Sequence, residues 1–292
     1  MQTIKIPVNT NFNFQSISKM LNQIASITKI DSEICFDFSE VSWFSAELTT
    51  FLGVEFKYLF DKDFKLYVTG LHGQILTILE KNGFLHKFHV GKKIPDFNHT
   101  TIPFEIIHSD DVEKINSYLT TSVFPKTKLG ISNDLIKNFK SIVFEITDNT
   151  KQHSKSSNVL MCGQWFPRKN ELTFTIADDG ITIPKKIESS IPLDFTKDTD
   201  YIEWATELGT STKTHLEAGL GLFDLKSTMA ECGELSILSR NGFWKMTSSG
   251  TIISHTLKNK FHGTLIHMNF LLNLKHTDDI EKNHMDDIEL TF

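Results

Sequence analysis

Cysteine is scarce: the 292 residues hold three, Cys35, Cys162 and Cys232, widely spaced and without a Cys-x-x-Cys pair. That spacing indicates neither a cysteine-built zinc site nor a disulfide framework. Each lies among apolar neighbours and reads as a small core residue. Long apolar runs are missing as well. No stretch approaches the ~20 apolar residues of a membrane span. The first apolar stretches are broken by Asn, Gln and Lys, unlike a secretory leader. There is no basic excess: the net charge is −6, so no general field draws the chain to nucleic acid or anionic lipid. Internal repeats and low-complexity tracts are absent too. These absences leave a soluble globular protein, expected in the reducing cytoplasm. Its 39% hydrophobic and 23% charged residues are ordinary for that class, and 24 phenylalanines supply bulky core material.

The length suits two modest domains. Residues 1–92 alternate strand and helix patterns. Strands are expected at Thr3–Pro7, Glu33–Phe38 and Phe64–Val68. Helical spacing runs through Ile17 to Ile27, Leu48 to Leu59 and Ile75 to Phe84. This predicts a small α/β unit. Residues 93–107, with two prolines and many polar residues, read as a linker. From 108 to 274 the pattern is α+β. It comprises a helix from Asp110 to Tyr118, a long one from Ile131 to His153, and strands at Asn158–Trp165 and Glu171–Ala177. A weakly periodic region to about 218 precedes a helix over Leu220–Glu231. Strands near Glu234–Ser239, Thr251–His255 and Thr264–Phe270 complete one sheet covered by helices. The last residues, 275–292, hold six acids against two lysines and read as a solvated acidic tail.

The long helix carries an apolar stripe of Leu135, Ile136, Phe139, Ile142, Val143 and Ile146. At 3.6 residues per turn, Glu145, Asn149 and His153 fall along one side, bordering that stripe. Polar groups at the rim of a core need hydrogen bonds, or a ligand or metal arriving from outside. An Asn carbonyl suits Mg²⁺, which takes few protein oxygens, and a Glu there could orient or deprotonate a water. Taken alone, the pair reads better as a plain polar helix edge. Two later segments bear on the choice. Asp178-Asp179-Gly180-Ile181-Thr182 ends an apolar strand, where a carboxylate can accept from a ligand amine and Gly lets the chain turn. Gly219-Leu220-Gly221-Leu222 sits at a helix start, where free N–H groups and the helix dipole favour phosphate.

In order and spacing these segments resemble the GHKL ATP-binding fold of DNA gyrase, heat-shock chaperone ATPases, mismatch-repair ATPases and histidine kinases. Glu145-x-x-x-Asn149 resembles its N box. Asp178 to Thr182 resembles its first glycine box, and Glu217 to Leu222 its second. Gly209 to Lys213 resembles its lid segment, and Gly263-Thr264 its closing strand. The resemblance implies a Bergerat-type ATP-binding α/β sandwich over 108–274 that takes ATP and Mg²⁺. It implies that Asn149 ligates the metal, Asp178 binds the adenine amino group, and Gly180 admits the base. Gly219, Leu220, Gly221 and Leu222 would hold phosphates, Thr264 would support Asp178, Lys213 would reach the phosphates from the lid, and Glu145 would activate water. Thr182 stands where the family has a second Gly, and Glu217 where it has a first. Both departures bear on hydrolysis more than on binding.

Residues 34–48 similarly resemble the STAS (anti-sigma antagonist) pattern. The phosphoacceptor serine is replaced by Ala46, and the preceding acid by Phe44. The resemblance therefore implies a STAS scaffold without the usual substrate hydroxyl. Together these features predict a Mg·ATP-binding regulatory protein, a slow ATPase or nucleotide-gated switch that signals to a protein partner and could pair as a homodimer. Two alternatives stand beside it: a serine/threonine kinase of the anti-sigma type, and a non-catalytic nucleotide-binding scaffold.

Overall fold

The computed structural model describes residues 1–28, 32–124, 133–210 and 221–272. The chain is α+β, with an N-terminal parallel sheet and a C-terminal seven-stranded antiparallel sheet, each carrying helices. The N-terminal unit contains β1 (Gln2–Lys5), β2 (Asn9–Thr10), α1 (Phe14–Ala25), β3 (Glu33–Asp37) and β4 (Trp43–Phe44). A 3₁₀ turn (Ala46–Leu48) then leads into α2 (Thr49–Phe60), β5 (Lys65–Thr69), α3 (Gly73–Lys81) and α4 (Phe84–Lys87). Its parallel sheet runs β1-β3-β5, and β2 pairs with β4. The Asn13 side chain accepts from the Ser16 N–H to start α1. Asn82-Gly83 ends α3, with Gly83 in the left-handed region at φ +79°.

The second sheet is built from β6 (Thr101–His108), β7 (Asn158–Phe166), β8 (Glu171–Asp178), β9 (Gly233–Ser239), β10 (Gly242–Met246), β11 (Ile252–Thr256) and β12 (Thr264–Leu271). Its order is β11-β10-β9-β12-β8-β7-β6. Helices α5 (Val112–Tyr118), α6 (Asn133–Asn149), α7 (Ile183–Ser190), α8 (Asp198–Ala205) and α9 (Gly221–Cys232) accompany it. None of the described helices is long and apolar enough to cross a membrane.

Both faces of this sheet are buried. Met161, Phe174, Ile176, Ile237, Trp244, Ile266 and Met268 share one core with residues of α5, α6, α8 and α9. Their neighbours Leu160, Cys162, Ala177, Leu238, Phe243 and Leu265 share another with the N-terminal unit. The period of two in a strand therefore sorts successive side chains into two cores, and the strands read as nearly continuous apolar runs. Each such side chain contributes about 1.5–3 kcal/mol by leaving water. Helix α2 is the middle layer. Every residue from Thr49 to Phe56 is buried, as expected of a helix enclosed on all sides. Gly53 lets α2 approach β7, since a Cβ there would lie 2.5 Å from Leu160. Burial pushes the Cys162 thiol up to about 12, in keeping with a packed rather than a reactive cysteine.

Three sequence expectations are corrected. Residues 101–107, read as linker, form most of β6. Pro103 and a register shift between Ile102 and Glu105 fit an edge strand, which tolerates both. Residues 183–205, read as part of a weakly periodic region, contain two packed helices, α7 and α8. At eight residues each, they are too short to show a helical period. Strand β10 was not anticipated, and it follows β9 through a tight turn at Arg240-Asn241. The acidic tail lies outside the described residues.

Candidate functional site

Helix α6 places Glu145 and Asn149 one turn apart, and the Asn149 Nδ2 donates to Glu145 Oε1 at 3.3 Å. The Asn149 carbonyl oxygen accepts no hydrogen bond among the described residues. After Asn149 the helix widens into a π-helical turn over Thr150–Ser154, which Lys155 ends in the left-handed region at φ 59°. Such turns recur at functional sites because they redirect side chains. Here the turn delivers Ser154, whose Oγ donates to Asp178 Oδ1 at 2.5 Å. The Gly180 N–H donates to the same oxygen at 2.9 Å. The Ile181 N–H in turn donates to the Ser154 carbonyl at 2.6 Å.

Asp178 ends β8, buried, with both of these bonds on Oδ1; its Oδ2 accepts none among the described residues. Burial raises its carboxyl to about 6, against the opposing pull of Ser154 and Gly180. Across the strand pair, Thr264 of β12 faces Asp178. The Thr264 hydroxyl shares a hydrogen bond with Ser239 Oγ at 2.8 Å, and the Ile183 N–H donates to that serine at 3.0 Å, fixing the start of α7.

Two glycines set the close approaches. A Cβ on Gly221, the first residue of α9, would lie 2.2 Å from Glu145 Cγ. A Cβ on Gly180 would lie 1.9 Å from Ser154 Oγ and 2.2 Å from its carbonyl oxygen. Gly180 thus makes room for Ser154, the residue that holds Asp178, rather than for a ligand, as the sequence had suggested.

Glu145, Asn149, Asp178, Gly221, Leu222 and Thr264 all line one open cavity of about 150 Å³. Isoleucines 146, 181, 183, 187 and 266 make its walls apolar, and Trp204 and Thr210 also contribute. Lys186 of α7 lines it as well and forms no ion pair among the described residues. The α7 and α8 walls are held by Arg240, which pairs with Glu188 at 2.6 Å and with Asp198. Among the described residues no cluster of three or more His, Cys, Asp or Glu side chains could hold a metal by itself.

Of the predicted site residues, Gly180 and Thr182 do not line the cavity. Thr182 is buried with its hydroxyl unpartnered among the described residues. Lys213, Gly219 and Leu220 lie outside the described residues, as does Glu217. Ser154, Lys186 and Trp204 were not foreseen. Ser154 lies nine residues after Glu145, just past the expected end of that helix at His153, and only the π-helical turn aims it at Asp178. No family model matches the chain, and no curated protein matches it significantly.

Proposed function

We propose that this chain binds Mg·ATP in the manner of the GHKL proteins and acts as a regulatory switch or slow ATPase. The observation that carries the reading is the convergence of five separate segments on one cavity around the open oxygen of buried Asp178. That oxygen is an acceptor suited to an exocyclic amine on a flat heterocycle, and the isoleucine walls suit the ring itself. Gly221 and Leu222, the first described residues of α9, also line the cavity, so the N-terminal part of that helix borders it, and Lys186 adds a cation. Both features favour phosphate.

The donor set also fits the metal. Mg²⁺ keeps most of its waters and takes one or two protein oxygens beside phosphate, and the Asn149 carbonyl is available for that. Bound there, the ion would neutralise charge on the phosphates. Glu145 lies next to Asn149 and would accept the proton of an attacking hydroxyl.

Isothermal titration with Mg·ATP tests the reading. One saturable site per chain is expected, with Asp178→Asn weakened at least ~10-fold for a lost charge-assisted bond. An inert wild type would overturn it. Glu145→Gln should keep binding and lose about 10²–10⁴ of any turnover.

Where phosphate goes is read with labelled ATP: release into solution marks an ATPase, and transfer to an added protein a kinase. Transfer to the STAS-like loop of the chain itself is disfavoured. Ala46 is fully buried and takes a hydrogen bond from Cys162 Sγ at 3.5 Å, while the buried Ser45 hydroxyl donates to Asn11. The STAS-like loop is therefore packed against β7 rather than offered to a kinase site.

A further inference from the structure

The second acid of the Asp178-Asp179 pair has a separate role. Past the end of β8 the chain still alternates, so Asp178 turns toward α6 while Asp179 turns toward the N-terminal unit. Asp179 Oδ2 meets Lys57 Nζ of α2 at 2.7 Å, and Ser156 Oγ donates to its other oxygen. Lys57 also reaches Asp61 at 3.0 Å along its own helix.

Two residues earlier on α2, Glu55 is fully buried. It accepts from the backbone N–H of His262 at 3.2 Å and lies 2.9 Å from His262 Nδ1. Tyr58 stacks on that imidazole, with ring centroids 3.3 Å apart. His262 leads directly into Gly263 and Thr264. Gly263 lies so close to the end of β8 that a Cβ would fall 1.9 Å from the Asp178 carbonyl oxygen. One helix of the N-terminal unit thus grips both chain segments that form the Asp178–Thr264 corner, each at the residue next to the corner or two before it.

We propose that α2 is a positioning element for this corner, with Lys57 and Glu55 setting nucleotide affinity from behind the site and tying it to the docking of the N-terminal unit. The inference rests on the nucleotide reading of the cavity. A buried carboxylate such as Glu55 is retained only where its bonds are satisfied, and here they are satisfied entirely by the segment leading to Thr264. The two grips act on backbone that has no slack, because the Gly263 contact allows neither strand end to move without the other. Linkage makes the coupling reciprocal: whatever loosens α2 weakens nucleotide binding, and bound nucleotide tightens α2.

The test is a double-mutant cycle on the full chain with Mg·ATP as the probe. Lys57 is 45% exposed, so Lys57→Met is compatible with folding. Lys57→Met and Asp179→Asn are each expected to weaken Mg·ATP about 3- to 10-fold, and the double variant no further, the non-additivity expected of partners in direct contact. Lys57→Arg should recover most of the loss. If the wild type turns over ATP, KM should rise in the single variants while kcat stays level, since Glu145 and Asn149 sit on α6. Hydrogen exchange over residues 49–60 should slow when nucleotide binds the wild type and not when it binds Lys57→Met. Unchanged affinity in both single variants, or losses that simply add, would overturn the positioning role while leaving nucleotide binding in place. A wild type that does not bind Mg·ATP would overturn the underlying reading as well.

Discussion

Asp178 keeps one oxygen occupied by Ser154 and Gly180 and leaves the other open to the cavity. Its carboxyl, raised to about 6 by burial, makes two opposite pH dependences. A ligand amine needs the ionised form, so affinity should fall as pH drops through 6 and be about tenfold lower at pH 5 than at pH 8. Ser154 favours the ionised form, so Ser154→Ala should move that midpoint upward. Stability runs the other way. The folded-state value lies above the ordinary 3.8, so the folded chain holds a proton the unfolded chain has lost between about pH 4 and 6. That contribution is present below pH 4 and disappears as pH rises through 6, on the order of 1–3 kcal/mol. Asp178→Asn should therefore bind nucleotide at least ~10-fold more weakly yet resist heat better than the wild type at pH 8. Calorimetry of both proteins at pH 5 and pH 8 checks the two signs together. A functional group held at a cost in stability is a common arrangement at binding sites.

At the scale of elements, the corner depends on two strand ends meeting over glycine. Gly263→Ala would push β12 against the Asp178 carbonyl, a backbone atom that cannot swing aside. A loss of about 2–4 kcal/mol is expected from the displaced strand end. Gly221→Ala meets a side chain instead, Glu145 Cγ at 2.2 Å. It should cost less stability and act mainly by moving Glu145, so turnover should suffer more than folding. Urea titration separates the two variants. The signals for these elements were unequal in the sequence. The stripe from Phe139 to Ile146 announces α6 because seventeen residues display the helical period several times over. Helices α7 and α8 pass through it barely twice, and their positions follow from Arg240 joining Glu188 to Asp198.

For the whole molecule, the consequence of burying both sheet faces is that the N-terminal unit is not an optional attachment. Its removal would uncover Leu160, Leu238, Phe243 and Leu265 together with the α2 side of Cys162 and Ala177. A fragment from residue 97 to 292 is expected to aggregate or bind a hydrophobic dye, and adding residues 1–96 in trans should reduce that; light scattering on the purified fragment checks it. An apolar face of this extent is not tolerated in water. The two-domain pattern of residues 1–92 and 108–274 describes the order of elements along the chain but not this shared core. Edge strand β6 was hidden for a related reason: Pro103 and its polar neighbours look like a linker until β7 is seen beside them.

Local periodicity and turn chemistry were enough to place most helices and strands, since those patterns are written within ten or twenty residues. The spacing of Glu145, Asn149, Asp178, Gly221 and Thr264 was enough to suggest a site. What required the tertiary structure was every relation between distant segments: Ser154 against Asp178, Lys186 on the cavity wall, and Asp179 turned to Lys57. An acid pair on a strand end looks the same in sequence whichever way each carboxylate points. Only the packing of α6 on one face of the sheet and α2 on the other decides that one acid serves the cavity and the other the N-terminal unit.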